Sequence, residues 1–275
     1  MSLDEEDEEY EDGLEGAPER KVLERLALGI NKRLAANNDY WMAITGPEGS
    51  GKSSLAMKIA KAVDENFTVE RNVVVNPTVE NVLELIIHSD VKAIVIDEAV
   101  NIAYNKEHFK SENIFFTRLS AVCRKKNKFI ILCIPRMRSL DSALRNHRLR
   151  SWIFVPERGA AVVMVPNVRN PFCSDPWYLK TNEKIAEKGE GRSKVADIST
   201  GHEINVLKGT KTFWFSFRFS RLDSETESKY REIVERLGKE IVFRQKEKEK
   251  KPENIDVDII ECGERRRPPS PPPSQ

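Results

Sequence analysis

Residues 46–53, Gly46-Pro47-Glu48-Gly49-Ser50-Gly51-Lys52-Ser53, fill every fixed position of the pattern G-x-x-x-x-G-K-[ST]. Glycines at these places let the backbone wrap closely around phosphate groups, with successive N–H groups and the following helix N-terminus turned toward the negative charge. Lys52 is spaced to reach the β and γ phosphates, the Ser53 hydroxyl to complete a magnesium shell, and Ser54 to join the cradle from the first helical turn. The expected ligands are ATP and Mg2+. A bare Gly-Ser-Gly can be only a turn. Here the full pattern stands between an apolar hexapeptide at 40–45 (YWMAIT) and a helical run beginning at Lys52.

A second pair of residues suits the same chemistry. Ala93-Ile94-Val95-Ile96 reads as a buried strand delivering Asp97 and Glu98 at its C-terminal edge, where ligand sites of open α/β sheets lie. Asp97 can hold magnesium through a water, and Glu98 can polarise the attacking water. Two adjacent acids after a strand could merely cap a loop; the upstream phosphate pattern gives them a task. Lys52 and Glu98 are therefore the expected catalytic residues, and Ser53 and Asp97 the metal pair.

These residues need a scaffold that brings them to one edge. Val22, Leu23, Leu26, Ala27, Ile30 and Leu34 recur at helical spacing and predict a helix from Pro18 to about Ala35. Strands are expected at 40–45, 72–76, 93–96 and 129–134. Helices are expected from Lys52 to about Val63, over Val79 to Ile87, and from Phe109 to about Arg124. A hairpin is expected from 151–155 and 160–165 around Glu157-Arg158-Gly159. Apolar strands alternating with helices imply an α/β fold with a mostly parallel sheet covered on both faces. The expected organisation is an acidic disordered tail at 1–17, a nucleotide-binding core at 18–170, a polar linker at 171–203, an accessory hairpin and helix at 204–245, and a charged, proline-rich tail at 246–275. In the accessory part, INVL and TFWFSFRF read as hairpin strands. Strict alternation puts Phe213, Phe215, Phe217 and Phe219 on one face, which favours a core over stacking on bases.

The adjacent aspartate and glutamate resemble the branch of P-loop ATPases in which the glutamate directly follows the magnesium-linked aspartate. That resemblance implies that the 129–134 strand is inserted between the strands bearing the phosphate loop and Asp97, fourth in sequence yet central in space. Residues 91–155, with Ile134-Pro135-Arg136, a Ser-Leu-Asp segment and the run Arg145 to Arg150, look most like the FtsK/HerA and zonula-occludens-toxin-like motor ATPases of viruses and mobile elements. Such motors place a polar sensor after the inserted strand, where this chain has Pro135 and Arg136. A small-molecule kinase would instead need a phosphoacceptor pocket and a lid, which a water-activating glutamate does not serve.

Between Arg118 and Arg150 stand ten basic residues (Arg118, Arg124, Lys125, Lys126, Lys128, Arg136, Arg138, Arg145, Arg148 and Arg150) and one acid, Asp141. Arg145, Arg148 and Arg150, expected near the catalytic edge of the sheet, could insert into a neighbouring subunit's nucleotide, contact a nucleic-acid backbone, or serve as surface; Arg118 and Arg124 come next. The net charge is +1, yet residues 1–20 hold ten carboxylates and one arginine, leaving a body with 44 basic against 34 acidic side chains. That excess fits DNA bound through its backbone. A homo-oligomer follows from the trans-arginine reading, with a hexameric ring among its forms. Protein remodelling and a nucleotide-responsive assembly at a membrane are the alternatives. Cys123, Cys133, Cys173 and Cys262 lack metal or redox spacing, His88, His108, His147 and His202 are dispersed, and no apolar run reaches membrane-spanning length. A cytoplasmic protein is expected, in the host cytoplasm if virus-encoded.

Overall fold

The computed structural model of the 275-residue chain describes residues 17–75, 77–99, 126–167, 174–190 and 200–250. Residues 1–16 of the acidic tail, the helix expected over Phe109 to Arg124, and residues 251–275 of the proline-rich tail lie outside the described residues, while 246–250, expected in that tail, continue the last helix. Two units divide the chain, Met1–Val234 and Glu235–Gln275; the sheet and the candidate site belong to the first.

Helix α1 (Glu19–Ala35) follows Pro18 and buries Val22, Leu26, Ala27, Ile30 and Leu34. Strand β1 (Tyr40–Thr45) leads through the glycine loop into α2 (Lys52–Val63), which buries Leu55, Ala56, Met57, Ile59, Ala60 and Val63. A short helix α3 (Val69–Asn72) and two-residue strand β2 (Val73–Val74) precede α4 (Val79–His88). The side chain of Thr78 caps α4 by accepting from the Asn81 N–H, and the Asn81 side chain accepts from the Thr78 N–H. Strands β3 (Ala93–Ile96) and β4 (Phe129–Ile134) follow; Pro135 ends the latter. A 3-10 turn (Met137–Ser139) and α5 (Ser142–His147), capped by Asp141, return the chain to β5 (Leu149–Phe154). Then come β6 (Ala160–Met164), α6 (Leu179–Glu190), α7 (Thr200–Lys208), β7 (Phe213–Arg218) and α8 (Ser224–Lys250).

The seven strands lie in the order β2-β3-β4-β1-β5-β6-β7. From β2 to β5 all pairings are parallel, and β6 and β7 add antiparallel pairings at one edge. Strand β4 is thus central, between β1 and β3. Two hydrophobic layers cover the sheet: α1 and α2 close one face over Met42, Ile44, Val95, Ile131 and Ile153, while α4, α5 and Trp177 close the other over Ala43, Ile94, Ile130 and Leu132. Burial on both faces explains the unbroken apolar runs. Trp41 is fully buried and its indole N–H donates to Asp39 at 2.8 Å, so the aromatic packs without an orphaned donor.

Three expectations are corrected. INVL is not a hairpin strand: residues 204–207 lie in α7, and only 213–218 forms a strand, which pairs with β6 and extends the main sheet. Ile204 and Leu207, three residues apart, pack on the second layer at helical spacing. The polar linker contains α6, in which Lys180, Thr181, Glu183 and Lys184 are exposed. Phe213 departs from its phenylalanine neighbours, because a register shift between Val163 and Met164 turns it to the second layer while Phe215, Phe217 and Phe219 remain in the first.

Candidate functional site

The phosphate loop leaves the C-terminal end of β1 and is gripped from both sides. The Gly46 N–H donates to the Pro135 carbonyl at the end of β4, 3.3 Å away. On the other side, a Cβ at Gly46 would lie 2.1 Å from the Val155 carbonyl oxygen beyond β5, so no larger residue fits. Gly51, at φ +96°, sets the entry into α2. Since the Leu55 N–H bonds back to Gly51, the N–H groups of Lys52, Ser53 and Ser54 precede the first helical bond and are available to an anion. Ser50 Oγ is buried without a hydrogen-bond partner, while Pro47, Glu48 and Gly49 form the exposed crest. Lys52 Nζ donates to the carbonyls of Gly46 at 2.9 Å and Pro47 at 2.6 Å, holding its charge over the loop.

Although β4 separates β1 from β3, α2 carries Ser53 across that strand. Its hydroxyl donates to Asp97 Oδ1 at 2.9 Å. The Asp97 N–H bonds the Val74 carbonyl at 2.8 Å, and the Ala99 N–H bonds the Cys133 carbonyl at 3.1 Å, so neighbouring strands fix the acidic turn. Burial, reinforced by the Asp97 charge, pushes the Cys133 thiol well above its usual range. Glu98 is exposed and has φ +50°, a conformation disfavoured for a side chain with a Cβ. Its N–H bonds Asp97 Oδ1 at 3.1 Å. A hydroxyl and a carboxylate converging at hard-ligand spacing fit magnesium, which prefers few protein oxygens alongside water and phosphate.

Two contacts were not foreseen. Arg158, at the turn between β5 and β6, donates from Nε to the Gly49 carbonyl at 2.7 Å; the hairpin register alone would have placed it beside the loop. Tyr230 of α8 donates its hydroxyl to Asp97 Oδ2. Burial and the Asp97 charge raise the phenol above its ordinary range. In the sequence, Tyr230 reads only as one apolar-face position of an amphipathic helix.

The arginines expected near the catalytic edge are elsewhere. Strand β5 runs parallel to β1, with Leu149 opposite Trp41 and Phe154 opposite Thr45. Arg148 and Arg150 therefore stand at the end of the sheet opposite the loop, about 15–20 Å away at ~3.3 Å per residue. Arg148 is 3.6 Å from Asp39, and burial together with nearby Arg33 lowers the Arg150 pKa. Arg145, on α5, donates to the Leu140 carbonyl at 3.1 Å; its Nε is buried without a partner, and burial lowers its pKa. Arg118 and Arg124 lie outside the described residues.

Residues 42–157 match the family described as ATPase family associated with various cellular activities (AAA). That match spans the phosphate loop, the Asp97-Glu98 turn and strands β1 to β5, a little under half of the chain. The match supports ATP binding and hydrolysis by this P-loop unit. No curated protein matches the chain. Among solved structures, the flagellar accessory protein FlaH from Methanocaldococcus jannaschii is similar at 13% identity and TM-score 0.31, covering 50% of this chain and 83% of that one. A DNA replication initiation factor gives 15% identity and TM-score 0.31, with 82% of this chain and 64% of that one covered. The replication initiator DnaA bound to AMPPCP and single-stranded DNA gives 13% and 0.30, with coverages of 88% and 68%. The chain spans less than two thirds of the initiation factor's length. Among the described residues, no helix is long and apolar enough to cross a membrane.

Proposed function

We propose that this AAA ATPase is a magnesium-dependent motor that assembles as a ring and acts on nucleic acid, with DNA translocation or packaging as its work. The observation that carries the chemical part is the meeting of Ser53 and Asp97 at 2.9 Å beside the exposed Glu98. In this reading the loop from Gly46 to Ser54 holds the phosphates and Lys52 shifts its hydrogen bonds from the loop carbonyls to the β and γ phosphates. Bound at Ser53 and Asp97, magnesium would neutralise charge on the β and γ oxygens. Glu98 accepts a proton as water attacks the γ phosphorus; the bond to the β–γ bridging oxygen breaks, leaving ADP and inorganic phosphate.

Arg148 and Arg150, at the opposite end of β5, cannot serve their own loop, so any role at a nucleotide has to be in trans. A neighbour's loop could receive either guanidinium if subunits pack edge to edge. The basic excess outside the N-terminal acids supports a polyanion as the worked substrate, and the likeness of 91–155 to FtsK/HerA-type motors points the same way. Remodelling of a protein is the second reading.

Glu98→Gln is the test protein. It should bind ATP while turnover falls by about 10²–10⁴-fold. Held in its ATP state, it should bind duplex DNA with little sequence preference, and log affinity should fall by about 0.9 per released phosphate contact against log salt. Fluorescence anisotropy across a salt series measures this. No binding to DNA or RNA at low salt would refute the nucleic-acid motor and leave protein remodelling.

A further inference from the structure

Helix α8 lies beyond the matched AAA segment, yet it closes on the centre of the site. The Tyr230 hydroxyl donates to Asp97 Oδ2, while Ser53 Oγ donates to Oδ1 of the same carboxylate. Three side chains, from α2, the β3 turn and α8, thus form one cluster. A magnesium ion binds its oxygens at about 2.0–2.1 Å in a strict octahedron and keeps much of its water. An ion drawing on Ser53 and Asp97 must compete for the carboxylate that Ser53 already holds at Oδ1 and the phenol at Oδ2.

We propose that Tyr230 is a latch on the metal pair: it holds Ser53 and Asp97 until magnesium-ATP arrives, and loading of the nucleotide expels the phenol and frees the start of α8. The inference rests on the assignment of Ser53 and Asp97 to magnesium. Neighbouring contacts suit a hinged release. At the base of the helix, Asp223 accepts from the Thr226 N–H at 2.9 Å and pairs with Lys61 of α2 at 3.2 Å, an anchor independent of Asp97. The next charged residues pair within α8 itself, Glu225 with Lys229 and Glu227 with Arg231. Tyr230 is the residue of this stretch that reaches the catalytic turn. By linkage, any partner that draws α8 away must tighten magnesium-ATP by the factor by which magnesium-ATP favours the released helix.

The test measures binding of a fluorescent ATP analogue to the full chain, in magnesium and in EDTA, for the parental protein and for Tyr230→Phe, which keeps the ring packing. In EDTA the two should bind equally. In magnesium the phenylalanine variant should bind about 3–10-fold tighter, the worth of one lost competing hydrogen bond. Hydrogen exchange over residues 224–234 should quicken when parental protein takes up magnesium and a non-hydrolysable ATP analogue, and should be fast beforehand in the variant. Should Tyr230→Phe be destabilised, Tyr230→Leu with a thermal-melt control takes its place. Equal or weaker magnesium-dependent binding by the variant, or a gain of the same size in EDTA, would overturn the latch. If magnesium strengthens parental binding and Ser53→Ala abolishes that gain, the metal assignment survives such a result. If magnesium has no effect on parental protein, both fall together.

Discussion

Asp64, just past α2, holds the start of β3 and sets up a quantitative experiment. Its carboxylate is buried and receives four donors: the Lys92 N–H at 2.8 Å, the Ala93 N–H at 3.3 Å and Asn72 Nδ2 at 3.0 Å, all on Oδ2, and the Asn66 N–H at 3.1 Å on Oδ1. Burial pushes its pKa up, but the donors, led by the Lys92 and Ala93 amides, outweigh it and leave the group below its ordinary value. Asp64→Ala removes both acceptor oxygens, and with them all four hydrogen bonds, and leaves the buried Ala93 amide without this partner. With about 1.5–3 kcal/mol per hydrogen bond to a charge, discounted because they share one group, the loss should be about 3–5 kcal/mol. Asp64→Asn can keep its oxygen at the Oδ2 position and give up the Asn66 contact alone, so it should lose about 1–2 kcal/mol. Urea denaturation followed by far-UV circular dichroism, with unchanged slope, measures both. The pH dependence has a definite sign. A depressed folded pKa makes this stabilisation complete above about pH 4 and removes it as pH falls through the folded value. Asp64→Asn should lack that increment of acid sensitivity. If Asn costs as much as Ala, or if the acid limb is unchanged in Asp64→Asn, the account of the four-donor clamp is wrong.

Lys52→Ala should weaken magnesium-ATP binding by about 10–100-fold with helix and sheet content intact, the worth of a charge-assisted contact; parental turnover by purified protein would reject the phosphate-loop assignment. Gly46→Ala drives a methyl into the Val155 carbonyl, 2.1 Å away, so both thermal stability and ATP affinity should fall; titration with a fluorescent ATP analogue checks the second. Glu98→Gln mixed with Arg145→Ala, Arg148→Ala or Arg150→Ala, each inactive alone, should regain partial ATPase activity in mixed assemblies if that arginine acts across the interface. Silence from verified mixed assemblies of all three variants would remove the trans role.

What could be read beforehand depended on range. The loop from Gly46 to Ser53 and the Asp97-Glu98 pair are local patterns between recognisable apolar strands, and the central place of β4 was implied by the resemblance of the adjacent aspartate and glutamate to one branch of P-loop ATPases. Where polarity is a surface property, as in α6, a helix resembles a linker. Where four residues alternate by chance, as in INVL, α7 resembles a strand. Phe213 needed knowledge of a shift in its partner β6. Tyr230 meets Asp97 across 133 positions of sequence, and its neighbours in α8 give no sign of that contact. Arg148 and Arg150 fell at the opposite edge because β5 runs parallel to β1, so residues entering the strand are those farthest from the loop.

Gly46 is held between the ends of β4 and β5, and that arrangement bears on how nucleotide energy is divided. A free glycine-rich loop would surrender much conformational entropy on closing around phosphates, at roughly 1–2 kcal/mol per residue fixed. Here the strand ends impose the first bend of the loop during folding. Less ordering is then left for the encounter with ATP, and more of the gross attraction to phosphate survives as affinity. The same rigidity makes the strand ends respond together: a phosphate that tugs on the loop pulls at once on Pro135 and Val155, the exits of the two strands flanking β1.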